Sequence, residues 1–121
     1  MNPMTNSRKH RGYATQRIIA DYLKTHGFPF AESTGAGRQG SDVTGTPCID
    51  WEIKARTNFD PAGTMKQLRQ RAVDGTVSVA VLRLNGQGEK SVEDYCAIIP
   101  FSVLVELLNG AGYGNDPTPT D

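Results

Sequence analysis

"IDWEIKAR", residues 49–56, is the stretch on which the fold turns. Ile49, Trp51, Ile53 and Ala55 alternate with Asp50, Glu52, Lys54 and Arg56, the period of two that marks a β-strand with one face packed and one face polar. The polar face is unusual in content. Carboxylates two residues apart point the same way and repel each other unless positive charge lies between or beside them.

The neighbouring segments supply a frame for that strand. Upstream, "SDVT" reads as a strand, and Thr44, Gly45, Thr46 and Pro47 form the turn of a hairpin that folds it back alongside the octet. Asp42 is thereby brought toward Glu52. The glycine-rich "GAGRQGS" before it reads as a loop, "FAEST" as a short strand after Pro29, and "YATQRIIADYLKTHG" as a helix. In that helix Tyr13, Ile18, Ile19, Tyr22 and Leu23 recur at helical spacing, and Gly27 is the stop. Downstream, Asp60 and Pro61 start a helix with Met65, Leu68 and Ala72 as its apolar stripe and Gly75 as its close.

"VSVAVLRL" then reads as a strand buried on both faces, "NGQGEKSVED" as a polar turn region, "YCAII" as an edge strand and "PFSVLVELLNGAG" as a final helix. The expected fold is a single α/β domain: a mixed central sheet with an αβββαβ core, flanked by helices on both faces. Its expected divisions are a flexible basic arm over residues 1–10, a domain over 11–112 and a disordered Pro- and Thr-rich tail over 113–121.

The 121 residues suffice for one core, and the formal net charge is zero. The charge is unevenly placed: residues 1–40 carry six Lys or Arg against two acids, whereas Lys90 stands alone against six acids from residue 85 onward. Such asymmetry fits one face that attracts phosphate, or simply an uneven solvated surface. Cys48 and Cys96 lack metal-ligand spacing and are expected to be reduced. No window approaches the roughly 20 apolar residues of a membrane span, so a cytoplasmic, intracellular protein without a membrane partner is expected.

Asp42 and Glu52 offer hard oxygen ligands suited to magnesium, and Lys54 could position a water or neutralise charge on a phosphate. The chemistry this suggests is phosphodiester hydrolysis; an ion pair on an exposed sheet face is the plain alternative.

"SDV" at 41–43 and "WEIK" at 51–54, in the element order given above, resemble the PD-(D/E)XK nuclease superfamily over residues 11–84, which implies a restriction-endonuclease-like fold. Within it, "RGYATQRIIADYLKTHGFPFAESTGAGRQGSD" is similar to the start of Holliday junction resolvases of archaeal and phage type. The resemblance implies a homodimer that nicks branched or duplex DNA, intracellular and phage-encoded in a bacterial host. It implies Mg²⁺, with Mn²⁺ able to substitute, held by Asp42, Glu52 and the Ile53 main-chain carbonyl, and catalysis by Asp42, Glu52, Lys54 and Gln16. Other DNA nucleases of the same fold (nicking, restriction or repair) and a catalytically inactive branched-DNA-binding module remain alternatives.

The chain departs from the pattern at Gln16, where such resolvases usually carry a helix glutamate. The amide could accept a hydrogen bond from a water on the metal, ligate weakly, or be a solvated helix residue. Glu32 could restore an acid, or a single metal could bind. Gln67 lies where related nucleases often place a Gln facing the pocket, or on a wet helix face, and Ser33 is a candidate accessory hydroxyl. Arg8, Lys9, Arg11, Arg17, Arg38, Ser41 and Arg56 are candidate DNA contacts. Trp51 is expected in the core.

Overall fold

The computed structural model describes residues 3–35, 40–55 and 60–114, with side chains from residue 11 onward. In order, the chain forms α1 (Pro3–Lys24), β1 (Glu32–Ser33), β2 (Val43–Thr44), β3 (Ile49–Lys54), α2 (Pro61–Gln70), β4 (Val77–Leu82), a 3-10 helix (Glu89–Asp94), β5 (Cys96–Ile98) and α3 (Phe101–Gly110). The expected element order is present, with a 3-10 helix in the polar turn region. The architecture is mixed α/β.

Helix α1 begins at Pro3, ahead of the boundary expected at residue 11, so the backbone of residues 3–10 continues a helix instead of forming an arm. Proline in the first turn sacrifices no helical hydrogen bond. Gly12 costs about 1 kcal/mol relative to Ala, and its neighbours carry the helix through. The end is sharp: Gly27 has φ +100°, and Phe28 N–H donates to the Leu23 carbonyl at 3.0 Å, a left-handed glycine stop. At the other terminus, Tyr113 N–H donates to the Leu108 carbonyl at 2.9 Å, so Tyr113 and Gly114 belong to the turn closing α3. Residues 115–121 lie outside the described residues.

The expected single sheet is instead two. β1 and β2 pair antiparallel, Glu32 opposite Thr44 and Ser33 opposite Val43. β3, β4 and β5 form a separate sheet in that order, with β3 parallel to β4 and β4 antiparallel to β5. Between β2 and β3, side chains replace part of the ladder. Asp42 N–H donates to the Trp51 carbonyl at 2.9 Å, Trp51 N–H donates to Ser41 Oγ at 2.9 Å, and Ile53 N–H donates to Asp42 Oδ2 at 2.7 Å. The hairpin is therefore real as a close approach but is not a regular ladder.

Two apolar layers sandwich β3–β5. On one side, Ile19, Ala20 and Leu23 of α1 cluster with Ala31, Val43 and Tyr95, and Trp51, Ile53 and Val81 pack against them. On the other, Leu68 of α2 meets Ala80 and Leu82, with Met65, Cys96 and Ile98. Trp51 joins the core as expected, its Nε1–H donating to Thr46 Oγ1 at 2.9 Å. By strand alternation, the acidic face of β3 lies on the α2 side.

The turn before β3 contains two left-handed residues. Gly45 has φ +81°, and a Cβ built there would stand 1.8 Å from the Phe30 carbonyl oxygen. Cys48 has φ +65° and is exposed. Opposite outcomes are expected from two substitutions. Gly45→Ala loses about 2–4 kcal/mol through strain and the clash, whereas Cys48→Gly gains about 1 kcal/mol by relieving left-handed strain. Urea unfolding of both variants checks this; a destabilised Cys48→Gly contradicts the strain.

Candidate functional site

Asp50, Glu52 and Lys54 share the α2-facing side of β3, and the parallel partner places Ser78, Ala80 and Leu82 opposite them in register. Lys54 is buried at 8 % side-chain exposure, with Nζ 3.6 Å from Glu52 Oε1. The two carboxylates have a counter-charge that the sequence reading missed. Arg71, the residue that caps α2, donates through Nη1 to Glu52 Oε2 and through Nη2 to Asp50 Oδ1. Ser78 Oγ adds a bond to Asp50 Oδ2 at 3.3 Å.

α2 ends at Gln70, short of the expected Gly75, and that early end is what turns Arg71 back toward the sheet. Ala72, expected in the apolar stripe, falls beyond the helix. A hint was available: three acids converging near one another with one lysine leave a charge deficit, and Arg71 is the basic residue closest to the following strand.

Asp42 reaches the same cluster from the β2 side. One carboxylate oxygen accepts from Ile53 N–H, and Thr34 holds the Asp42 main chain, its N–H donating to the Asp42 carbonyl at 3.0 Å. Burial pushes the Asp42 carboxyl above its ordinary range, against the Ile53 N–H, which lowers it; the Glu52 and Asp50 carboxylates raise it further and Arg71 lowers it. Asp42 thus lies in the field of Glu52 and Asp50, and Glu52 in turn is paired with Lys54.

A cleft of about 120 Å³ opens beside Lys54, lined by Asp60, Gly63, Thr64, Gln67, Leu82 and Leu84. Its wall is the first half of α2, whose start is fixed by the Asp60 side chain accepting from Gly63 N–H at 3.0 Å and the Asp60 carbonyl accepting from Thr64 Oγ1 at 2.8 Å. Gln67 is exposed and lines this cleft, so it satisfies both readings made of it.

Several other expected roles are revised. Glu32 is exposed and paired with Lys24 at 3.0 Å, where it ties β1 to the end of α1 instead of supplying an acid to the cluster. Ser41 Oγ is occupied within the fold, donating to the Val43 carbonyl at 2.6 Å while accepting from Trp51. Arg11 donates to the Leu84 carbonyl at 3.3 Å and anchors α1 to the end of β4. Ser33 stands opposite Val43 and makes no side-chain hydrogen bond among the described residues. Arg17 is exposed on α1. The Arg8 and Lys9 side chains, Arg38 and Arg56 lie outside the described residues.

Gln16 belongs to the helix that packs on the Trp51 and Ile53 side of β3, and no described hydrogen bond joins it to the acidic face. Its Oε1 is nevertheless shielded from solvent with no hydrogen-bond partner among the described residues. An orphaned buried acceptor costs about 1–3 kcal/mol.

The donor set can be tested against a divalent cation. Asp42, Asp50 and Glu52 oppose Lys54 and Arg71, one negative charge in excess, and the Asp42 carboxyl is raised by its burial first and by its acidic neighbours second. No group of three or more acid, His or Cys side chains forms a metal cage among the described residues. Two carboxylates with a water-rich shell suit Mg²⁺, which seldom uses an all-protein cage. The residues fit a hard cation that shares Glu52 with Arg71.

Comparison of the chain with protein-family models, curated proteins and solved structures gives no match. No described helix is long and apolar enough to cross a membrane.

The Asp42 carboxyl sets a pH-dependent prediction. Its folded-state proton affinity exceeds the unfolded one, so the native state holds the proton more tightly and stability falls as pH rises from the unfolded value of 3.8 through the raised folded value. Asp42→Asn removes that cost. Without divalent cation at pH 7, the variant is expected to be more stable than the parent. The advantage should shrink below pH 3.8. Urea titrations in chelator at both pH values check the difference.

Proposed function

We propose that this chain is a Mg²⁺-dependent DNA endonuclease that hydrolyses phosphodiester bonds, on a restriction-endonuclease-like fold, and that it acts on branched DNA as a Holliday junction resolvase. The observation that carries the reading is the convergence of Asp42 and Glu52 beside the buried Lys54, at the edge of a cleft walled by Gln67. The resemblance of "SDV" and "WEIK" to the PD-(D/E)XK pattern supports it.

In this reading Asp42 and Glu52, with the Ile53 carbonyl, hold the cation. When bound, Mg²⁺ supplies Lewis-acid polarisation of a phosphate oxygen and activates a water. The chain's own groups do the positioning. Lys54, stripped of most of its hydration, offers its ammonium protons to the attacking water or to charge growing on the phosphate, where low local dielectric strengthens the interaction. Gln67 presents an amide across the cleft. Arg71 holds the Glu52 carboxylate in place and leaves Asp42 as the acid short of positive charge.

A second reading, a branched-DNA-binding module without catalysis, draws on two observations: Arg71 already compensates Asp50 and Glu52, and the helix position of the family acid is Gln16. Incubation with a synthetic four-way junction, linear duplex and single strand, with and without Mg²⁺, separates the two. The nuclease reading expects Mg²⁺-dependent cutting of the junction in preference to the other substrates, and a loss on the order of 10²-fold or more in Glu52→Ala and Lys54→Ala. Equal cutting of all three substrates removes the resolvase assignment, undiminished cutting by Glu52→Ala removes the site, and junction binding without cutting supports the module.

A further inference from the structure

Glu52 is already engaged by two cations of the chain itself. Its Oε1 faces Lys54 Nζ at 3.6 Å, and its Oε2 accepts from Arg71 Nη1. Asp50 is equally occupied, Oδ1 by Arg71 Nη2 and Oδ2 by Ser78 Oγ at 3.3 Å. Asp42 Oδ2 takes the Ile53 N–H at 2.7 Å, which leaves Asp42 Oδ1 as the one carboxylate oxygen of the three acids with no hydrogen bond or ion pair among the described residues. A divalent cation held by Asp42 and Glu52 therefore needs a carboxylate that a guanidinium already grips. Mg²⁺ takes its oxygens at about 2.0–2.1 Å, a distance at which the lone pair it uses is lost to an N–H donor. Two like charges so close to one carboxylate also repel each other.

The two cations on Glu52 differ in their freedom to withdraw. Lys54 is 8 % exposed and projects from the last residue of β3, between strand and helix. Arg71 is 26 % exposed, stands at the C-cap of α2 and is followed by the exposed residues Ala72, Val73, Asp74 and Gly75. Its main chain is tied down, the N–H donating to the Gln67 carbonyl at 3.2 Å, so the side chain turns on a fixed base. The planar guanidinium spans both carboxylates at once, through a different nitrogen to each, which a single ammonium cannot do.

We infer that Arg71 is a built-in counter-cation that competes with the divalent metal for Glu52, holding Asp50 and Glu52 together while no metal is bound and giving up Glu52 Oε2 when one binds. Resting on the Mg²⁺ reading of Asp42 and Glu52, this role adds a control to it. Metal affinity is set by the grip of one guanidinium as well as by the donors themselves.

Calorimetric titration of MgCl₂ into the full chain, without DNA, reads the role through affinity instead of cutting. Arg71→Gln removes a unit charge and both of its bonds, and should tighten Mg²⁺ binding by on the order of 10-fold or more. Arg69→Gln makes the same charge change at an exposed position in the last turn of α2 and should stay within about 2-fold of the parent, because solvent screens it. Urea unfolding gives a second signature. In chelator Arg71→Gln should unfold at lower urea than the parent, since Asp50 and Glu52 lose their counter-charge, yet its midpoint should rise further on adding MgCl₂, as tighter binding to the native state requires. Binding by Arg71→Gln where the parent shows none also supports the role. Unchanged or weaker binding by Arg71→Gln overturns it while leaving the Mg²⁺ reading in place, and so does equal tightening by Arg69→Gln. If neither the parent nor Arg71→Gln binds Mg²⁺, the metal reading fails and this role with it. Should Arg71→Gln fail to fold, Arg71→Lys keeps the charge and reaches one carboxylate at a time: tighter Mg²⁺ binding than the parent is expected, and affinity at or below the parent's counts against the competition.

Discussion

A carboxylate standing in for a main-chain acceptor is the joint on which this molecule depends. Asp42 Oδ2 takes the Ile53 N–H that a ladder neighbour would otherwise take, and Ser41 does the same for Trp51 N–H. Because these two side chains stitch β2 to β3, the small β1–β2 sheet can sit against the β3–β5 sheet without belonging to it. The same bond directs Asp42 toward Glu52. A charged group is held in a half-buried place for a backbone reason, and burial there raises the cost of its charged form.

That cost is shared unevenly. Glu52 and Asp50 are met by Arg71, and Glu52 again by Lys54, whereas Asp42 receives a neutral N–H. The cluster is therefore ordered without an ion and still negative. Arg71 is bound to the sheet only because α2 stops one residue earlier, and α2 begins where it does because Asp60 caps it. Helix length and charge balance are one property here.

The element order, the two packed faces, the approach of Asp42 to Glu52 and the shared face of Glu52 and Lys54 were legible, because alternation on β3 and the Gly45–Pro47 turn are local signals. Three things were not. The end of α2 at Gln70 goes with the reach of Arg71 to two carboxylates 19 and 21 residues away, which no window over the helix contains. The splitting of the sheet comes from Ser41 and Asp42 competing with backbone acceptors, a choice invisible to strand propensity. Arg11 looked like a phosphate contact as one of the basic residues of the first stretch, and Ser41 as a residue of the glycine loop; Arg11 bonds the Leu84 carbonyl and Ser41 bonds across the hairpin.

The parallel pairing of β3 with β4 has a consequence for synthesis on the ribosome. β3 carries the acids, yet its ladder partner, its guanidinium and the Ser78 hydroxyl are all encoded downstream, beyond the helical crossover. A nascent chain halted near residue 60 has the Asp42 bond to Ile53 within its reach, but Asp50 and Glu52 still lack the guanidinium and the ladder that hold them. The counter-charge of Asp50 and Glu52 is thus encoded together with the second apolar layer, after the strand that needs it.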